Sequence, residues 1–405
     1  MRNVLFAAPF PMETTIRFAQ AVASLDQVRL LGVFQRAPRG QSARLFDDIV
    51  EVPDAMDAGS LAQGVVRLAR RHGRPHRLLG VLEEMQGPLA TVREHLGITG
   101  PDRATADRFR DKARMKDVLR AHGIPCARHR LLHGESDAVD FARQVPFPWV
   151  LKPPAGAGCR STWRIHSRAD LARALRATRP GPFNPVLAEE FLQGREYSFE
   201  TLTVGGTPRF HSISHYLPGP LEAVENPWIQ WCAMLPRDIS GPQFDGARQL
   251  AARTIQALGI RDAMTHMEWF RRPDGSLAVG EIAARPPGAQ IVRMMSYAHD
   301  TDMYRAWARA VVDEDCDGPW ERRYAVGVAF LRGSGQGRVA QIDGLDRAQA
   351  LAGSLVVETR LPRTGMPRSS SYEGDGWVIF RHPDTRRVEQ ALRHTIQSVR
   401  VRYAA

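Results

Sequence analysis

The sequence predicts a multidomain protein of mixed α/β and α+β class, and three observations carry that expectation. Residues 3–96 alternate strand-like and helix-like runs, as in an open, mainly parallel sheet. His266–Gly288 holds two strand-like runs about the turn Pro273-Asp274-Gly275-Ser276. From about Pro319 the composition shifts to short strands with two helices, as in a small α+β domain. A chain of 405 residues is long enough for two to three domains, and the limits fall at 1–102, 103–318 and 319–405.

In chain order, residues 3–8 read as a strand, Thr14–Ser24 as a helix and Val28–Phe34 as a strand. Asp48–Val52 (strand), Ala58–His72 (helix), Arg77–Leu82 (strand) and Leu89–Leu96 (helix) follow. The first loop lacks G-x-G-x-x-G, so a dinucleotide cofactor is not supported. Glu83-Glu84 follows a strand end and reads either as solvated loop or as a contact to a substrate amine. Thr105–His122 reads as one helix ended by Gly123-Ile124-Pro125. Pro148–Pro153 is a strand carrying Lys152, and it runs into a loop of small residues with Gly156, Gly158 and Ser161. Such a loop lets backbone N–H groups and a hydroxyl approach phosphate oxygens, although the Walker pattern is absent. Val186–Phe191 and Tyr197–Val204 are strands joined through Gly194, a glycine hinge. Pro218–Met234 reads as a long loop whose Trp228, Gln230 and Trp231 could wall a substrate pocket. Helices are expected at about 243–258, 289–297 and 301–312.

With 43% hydrophobic and 24% charged residues, the composition is that of a soluble globular chain. No apolar run approaches the ~18 residues of a membrane span. Four scattered cysteines without C-x-x-C argue against disulfides and zinc, and fit a reducing cytoplasm. The net charge of +11 is spread over every segment, without the basic run of a nucleic-acid binder. The use of cations is more telling. The chain has three lysines, Lys112, Lys116 and Lys152, against fifty-two arginines. All three fall in one forty-residue window. A lysine is a compact point charge suited to a phosphate oxygen that a planar guanidinium would not fit.

The hairpin carries the sharpest expectation. A two- or four-residue loop centred on Asp274-Gly275 places Glu268 opposite Glu281 and His266 opposite Ala283, all on one face. Two carboxylates ~5 Å apart repel unless something compensates, and a hard divalent cation does so. Arg285 follows just past the second strand.

Together these residues resemble the ATP-grasp superfamily, in its carboxylate–amine ligase branch that includes the L-amino-acid ligases. The resemblance implies an ATP-grasp fold at 103–318, with a lid subdomain at about 127–187. It also implies a Rossmann-like domain before it and a small C-terminal domain after it. It implies ATP and magnesium or manganese as cofactors. Lys112 and Lys152 would meet phosphates, and the Gly156–Ser161 loop would be a flap over them. Glu189, Glu190 and Leu192 would form the hinge against adenine, and Glu196 would bind the ribose. Glu268 and Glu281 would be metal carboxylates. Arg285, with Lys152, would be catalytic, steadying an acyl phosphate. Lys116 matches no functional position of the family. An asparagine common two residues after the second glutamate is Ala283 here, which leaves the metal ligands one short. Trp228, Gln230, His266, Arg285 and Gly288 are the candidates for the substrate pocket, His266 reading equally as a packed strand residue. The implied activity is ATP-dependent joining of a small carboxylate to an amine, with no nucleic acid or membrane partner, and a homodimer is left open. Bicarbonate activation, as in biotin carboxylase relatives, and ATP binding without turnover stand as alternatives.

Overall fold

Four strands near the N-terminus run parallel, and the central two, Arg2–Ala8 and Val28–Phe34, have the continuous hydrophobicity of strands covered on both faces. The four form a sheet in the order Asp48–Glu51, Val28–Phe34, Arg2–Ala8, Pro75–Leu79. The computed structural model describes residues 1–156, 161–226, 230–333, 335–369, 371 and 373–404. Helices Glu13–Ala23, Ala58–His72 and Gln86–Leu96 connect or follow these strands.

The helix expected over 105–122 is two helices, Arg103–Arg110 and Lys112–Ala121. Asp111 between them has extended dihedrals (φ −84°, ψ 107°), and its carboxylate accepts from the amides of Ala113 and Arg114. An aspartate cap inside the sequence therefore restarts the helix. Lys112 becomes the first residue of the second helix, and its own amide donates to Pro154 O at 2.9 Å.

A small antiparallel sheet follows, ordered His129–Leu132, Val186–Glu190, Trp149–Lys152, Trp163–Ile165. Helices Glu135–Gln144 and Arg168–Thr178 close its core around Trp149. The largest sheet has eight antiparallel strands. Its order is Leu277–Ala283, Ala263–Arg271, Arg195–Val204, Thr207–Leu217, Trp231–Leu235, Ala325–Leu331, Gly376–His382, Val356–Arg360. The stretch read as a loop at 218–234 thus contains the helix Pro220–Glu225 and most of a central strand. Trp231–Leu235 is buried at every residue, so it shows no alternation to read. The strands beyond the composition shift near 319 divide between this sheet and a separate two-stranded one. Three of them continue the eight-stranded sheet, and the last strand, Arg400–Ala404, pairs with Arg338–Asp343.

Candidate active site

The paired strands Ala263–Arg271 and Leu277–Ala283 put Glu268 opposite Glu281 and His266 opposite Ala283. The route to this register differs from a plain hairpin. The connecting loop has five residues, 272–276, and next to it Trp269 pairs with Val279. Continued without interruption, that register would set Glu281 against Met267. Met267, Trp269, Val279 and Ile282 pack in a core with helices Lys112–Ala121 and Asp245–Leu258. One extra residue, Gly280, bulges out and shifts the pairing, so Glu281 turns to the face of Glu268. A β-carbon at Gly280 would come within 2.9 Å of the Phe270 ring and 3.3 Å of Glu268 O.

All three lysines converge beside this bulge. Lys116 is fully buried, and its ammonium donates to Gly280 O at 2.8 Å and pairs with Glu189 Oε1 at 2.8 Å. The other oxygen of Glu189 pairs with Lys152 Nζ at 2.8 Å. Burial alone would raise the Glu189 pKa, but Lys116 and Lys152 outweigh it and hold it at about 2. Both oxygens of Glu189 are therefore engaged by lysines, and its carboxylate positions Lys152 instead of waiting for a base. Glu190 pairs with Arg128 at 3.1 Å. Leu192 packs with Ala127 and Ala278. Lys112 Nζ lies 3.1 Å from Glu281 Oε1 and donates to Gly156 O at 2.7 Å, tying the loop after Lys152 to the carboxylate pair. At the joint between sheets, a β-carbon on Gly194 (φ +142°) would sit 2.3 Å from Arg271 O, so only glycine fits this approach.

Strand Arg195–Val204 presents Glu196, Ser198 and Glu200 on the face of Glu268. Glu200 is fully buried, and its Oε1 accepts from His266 Nδ1 at 2.9 Å and from Ser198 Oγ at 2.5 Å. His266 Nε2 lies 3.3 Å from the Tyr216 hydroxyl and 3.8 Å from Glu268 Oε1. Burial would lower the His266 pKa, yet bonds to Glu200 and Glu268 hold it at about 9. Burial, reinforced by the facing Glu268, pushes the Glu196 carboxyl well up. Glu200 and Tyr216 were not singled out from sequence. The polar alternation Glu196, Ser198, Glu200 between Tyr197 and Phe199 is the signal that could have found Glu200. Glu83 takes neither expected role: it is buried, and its Oε2 accepts from Arg285 Nε at 2.8 Å. Arg285 Nη1 donates to Pro286 O at 2.8 Å. Glu84 is exposed beside the cleft.

A cleft of about 1540 Å³ opens between the small sheet, the eight-stranded sheet and the loops after Glu83 and Arg285, with Lys116, Glu83 and Glu200 buried behind its walls. Lys112, Lys152, Gly156, Ser161, Glu189, Glu190, Leu192, Glu196, His266, Glu268, Glu281, Arg285 and Gly288 all border it. Gln230 does not join them. Its amide is taken by the Arg332 backbone, donating to the carbonyl at 2.8 Å and accepting from the N–H at 3.2 Å. Trp231 does line the cleft, whereas Trp228 and Gly158 lie outside the described residues.

The donors suit magnesium. Glu281 and Glu268 offer hard oxygens with side chains 28% and 32% exposed to the cleft, so both are reachable. Among the described residues no group of three or more His, Cys, Asp or Glu could hold a metal by itself. Two carboxylates can hold an ion whose remaining ligands would be phosphates and water. Also among the described residues, no helix is long and apolar enough to cross a membrane.

Comparison with known proteins gives a consistent picture. Over 341 residues the chain is 24% identical to the uncharacterized protein y4rH of Sinorhizobium fredii, covering 81% of this chain and 69% of that one. It is 29% identical over 221 residues to the L-arginine-specific L-amino acid ligase of Bacillus subtilis, covering 53% of this chain and 52% of the ligase. The match thus spans about half the length of that relative. An L-amino acid ligase from Bacillus licheniformis superposes with a TM-score of 0.81 at 18% identity, covering 100% of this chain and 99% of that one. At that identity the likeness is one of fold. Residues 117–294 match the family described as the ATP-grasp domain. The chain carries an ATP-grasp domain at its centre.

Proposed function

We propose that the protein is an ATP-dependent carboxylate–amine ligase acting on amino-acid-like substrates. The observation that carries this reading is the convergence of Lys112 and Lys152 on one cleft of an ATP-grasp domain, with Lys116 buried behind Glu189, beside a cross-strand carboxylate pair and a part-buried, carboxylate-held arginine. Lys112 and Lys152 supply point charges for phosphate oxygens. Glu189 fixes Lys152, and Lys116 fixes Glu189. The hinge backbone from Glu189 to Leu192 borders the space for a base, with Glu196 and its high carboxyl pKa available to hydroxyl groups. Glu268 and Glu281 would hold magnesium, which when bound screens phosphate charge. ATP supplies the phosphoryl group that makes a carboxylate reactive, and an amine then displaces phosphate. Arg285, held by Glu83, faces the anionic reacting group with an orientation already set. The division near 102 and 318 separates the parts that bring Glu83, then the lysines and carboxylates, then the C-terminal loop to this cleft.

ADP release, screened over amino acids singly and in pairs with mass spectrometry of products, tests the reading. An ADP-coupled mass gain equal to two substrates minus water is expected. ADP release with bicarbonate alone would move the protein to the carboxylating branch, and nucleotide binding without any ADP release would make it a binding protein. The carboxylate pair has its own test. Glu268→Gln should weaken magnesium-dependent ADP binding, read by calorimetry, by roughly tenfold or more. An unchanged magnesium titration would remove Glu268 from the metal site.

A further inference from the structure

Of the eight carboxylates that line the cleft, four already face a cation. Glu189 has Lys116 and Lys152, Glu190 has Arg128, and Glu281 has Lys112. Glu268 faces His266, and Arg285 is matched by Glu83. Glu84 and Glu222 are exposed, and Glu196 stands among the metal carboxylates. Glu373 is different. It lines the same cleft, is only partly exposed, and has no cation within ion-pair distance among the described residues. Its Oε1 accepts one bond, from the Ala289 amide at 3.3 Å, and its Oε2 has no partner among the described residues. Burial pushes its carboxyl pKa up. A desolvated carboxylate of this kind gains most from a cation that arrives with a ligand.

The presentation of Glu373 is built from both sides. On its own loop, the Glu373 amide donates to Ser371 Oγ at 3.1 Å and the Gly374 amide to Ser371 O at 3.0 Å. Two residues on, buried Asp375 accepts from the Ser369 amide at 2.6 Å and from the Tyr403 hydroxyl. Opposite, Ala289 and Gln290 both adopt left-handed dihedrals (φ +51° and +59°), costly for non-glycine residues. They directly follow Gly288, where an added β-carbon would sit 3.8 Å from Glu373 Oε1. The strained turn thus follows Arg285 in the chain and carries the amide that meets the carboxylate.

We propose that Glu373 binds the ammonium group of a substrate, so that at least one substrate is an amino acid held between the C-terminal loop and Arg285. This rests on the ligase reading and extends it with a named charge contact from outside the ATP-grasp domain. A ligand with an anionic end for Arg285 and a cationic end for Glu373 matches the zwitterion of an α-amino acid, whereas a 2-hydroxy or 2-oxo acid leaves Glu373 unpaired.

The test is Glu373→Gln, which keeps an oxygen for the Ala289 amide and removes only the charge. The probe is whichever of the twenty standard amino acids releases most ADP with the wild-type protein, together with its 2-hydroxy analogue. KM for the amino acid should rise roughly tenfold or more, with kcat and ADP affinity near wild type. The 2-hydroxy analogue should react equally with both proteins. With two different amino acids, the one whose KM moves is the one Glu373 holds. An unchanged KM for both in a variant that binds ADP normally overturns the subsite and leaves the ligase reading standing. Absence of ADP release by the wild-type protein with every amino acid overturns both.

Discussion

Lys152→Ala is expected to lower ADP formation by at least a thousandfold while leaving the fold intact, and Glu281→Ala to do the same. Lys152 ends a strand of the small sheet and is held by Glu189 at 2.8 Å. The carboxylate has a second cation in Lys116, so removal of Lys152 does not strand a buried charge. The structural cost should accordingly stay near 1–2 kcal/mol. The catalytic cost is larger, because a preorganised charge acts on charge that spreads in the transition state. Glu281 is part-exposed, and its loss frees Lys112 without emptying a core. The measurement is single-turnover ADP formation, paired with thermal unfolding of each variant. Near-wild-type turnover in both variants would mean that the lysine–carboxylate cleft is not where the chemistry occurs.

How much of this was legible in the sequence depends on the range of the interaction. The Glu268–Glu281 pairing was readable because turn chemistry and strand parity are local. It came out right through two departures that cancel: a five-residue loop shifts the register by one, and the bulge at Gly280 shifts it back. Neither departure has a sequence mark beyond a glycine inside a strand. The grouping of the three lysines was readable from composition, and it proved spatial as well as sequential. Burial of Lys116 was not readable. Its i, i+4 spacing with Lys112 suggests a shared solvated face, but the cap at Asp111 makes Lys112 the first residue of its helix, and Lys116 lies under Gly280. Glu83 with Arg285, and Glu373 with Ala289, join residues 202 and 84 positions apart. No local period encodes such contacts; they exist only once the sheets have packed. The same holds for the C-terminal segment, which reads as a unit of its own yet gives three strands to the central sheet and two to a separate pair, because a shift in composition says nothing about which edge a strand will join.

Lys116→Met should be the most destabilising single change in the site and should also weaken magnesium-dependent nucleotide binding. The ammonium donates to Gly280 O, and it is half of the cation pair on Glu189. Lys152 still holds Glu189, but the buried Gly280 carbonyl loses its donor and Glu189 loses one of its two cations, at roughly 1–3 kcal/mol for each. Part of that cost depends on pH. Glu189 is depressed from 4.5 to about 2, so its contribution is present above pH 4.5 and fades as pH falls toward 2. A depression of that size corresponds to roughly 3 kcal/mol. With one lysine removed, burial pulls the folded pKa back up, and the difference from the unfolded chain shrinks. Denaturant titrations between pH 5 and pH 2 should therefore show a shallower loss of stability in the variant than in the wild type. Lys116→Arg should restore little, since a guanidinium is too large for a fully buried site that a 2.8 Å ammonium contact fills on both sides. The functional effect follows from the bulge. Without its donor, the Gly280 carbonyl no longer favours the register that turns Glu281 toward Glu268, so the magnesium dependence of ADP binding should shift to higher concentration. In the double variant Lys116→Met, Glu281→Ala, that shift should be no larger than for Glu281→Ala alone. Equal and additive shifts would show that Lys116 supports stability only, with no coupling to the carboxylate pair.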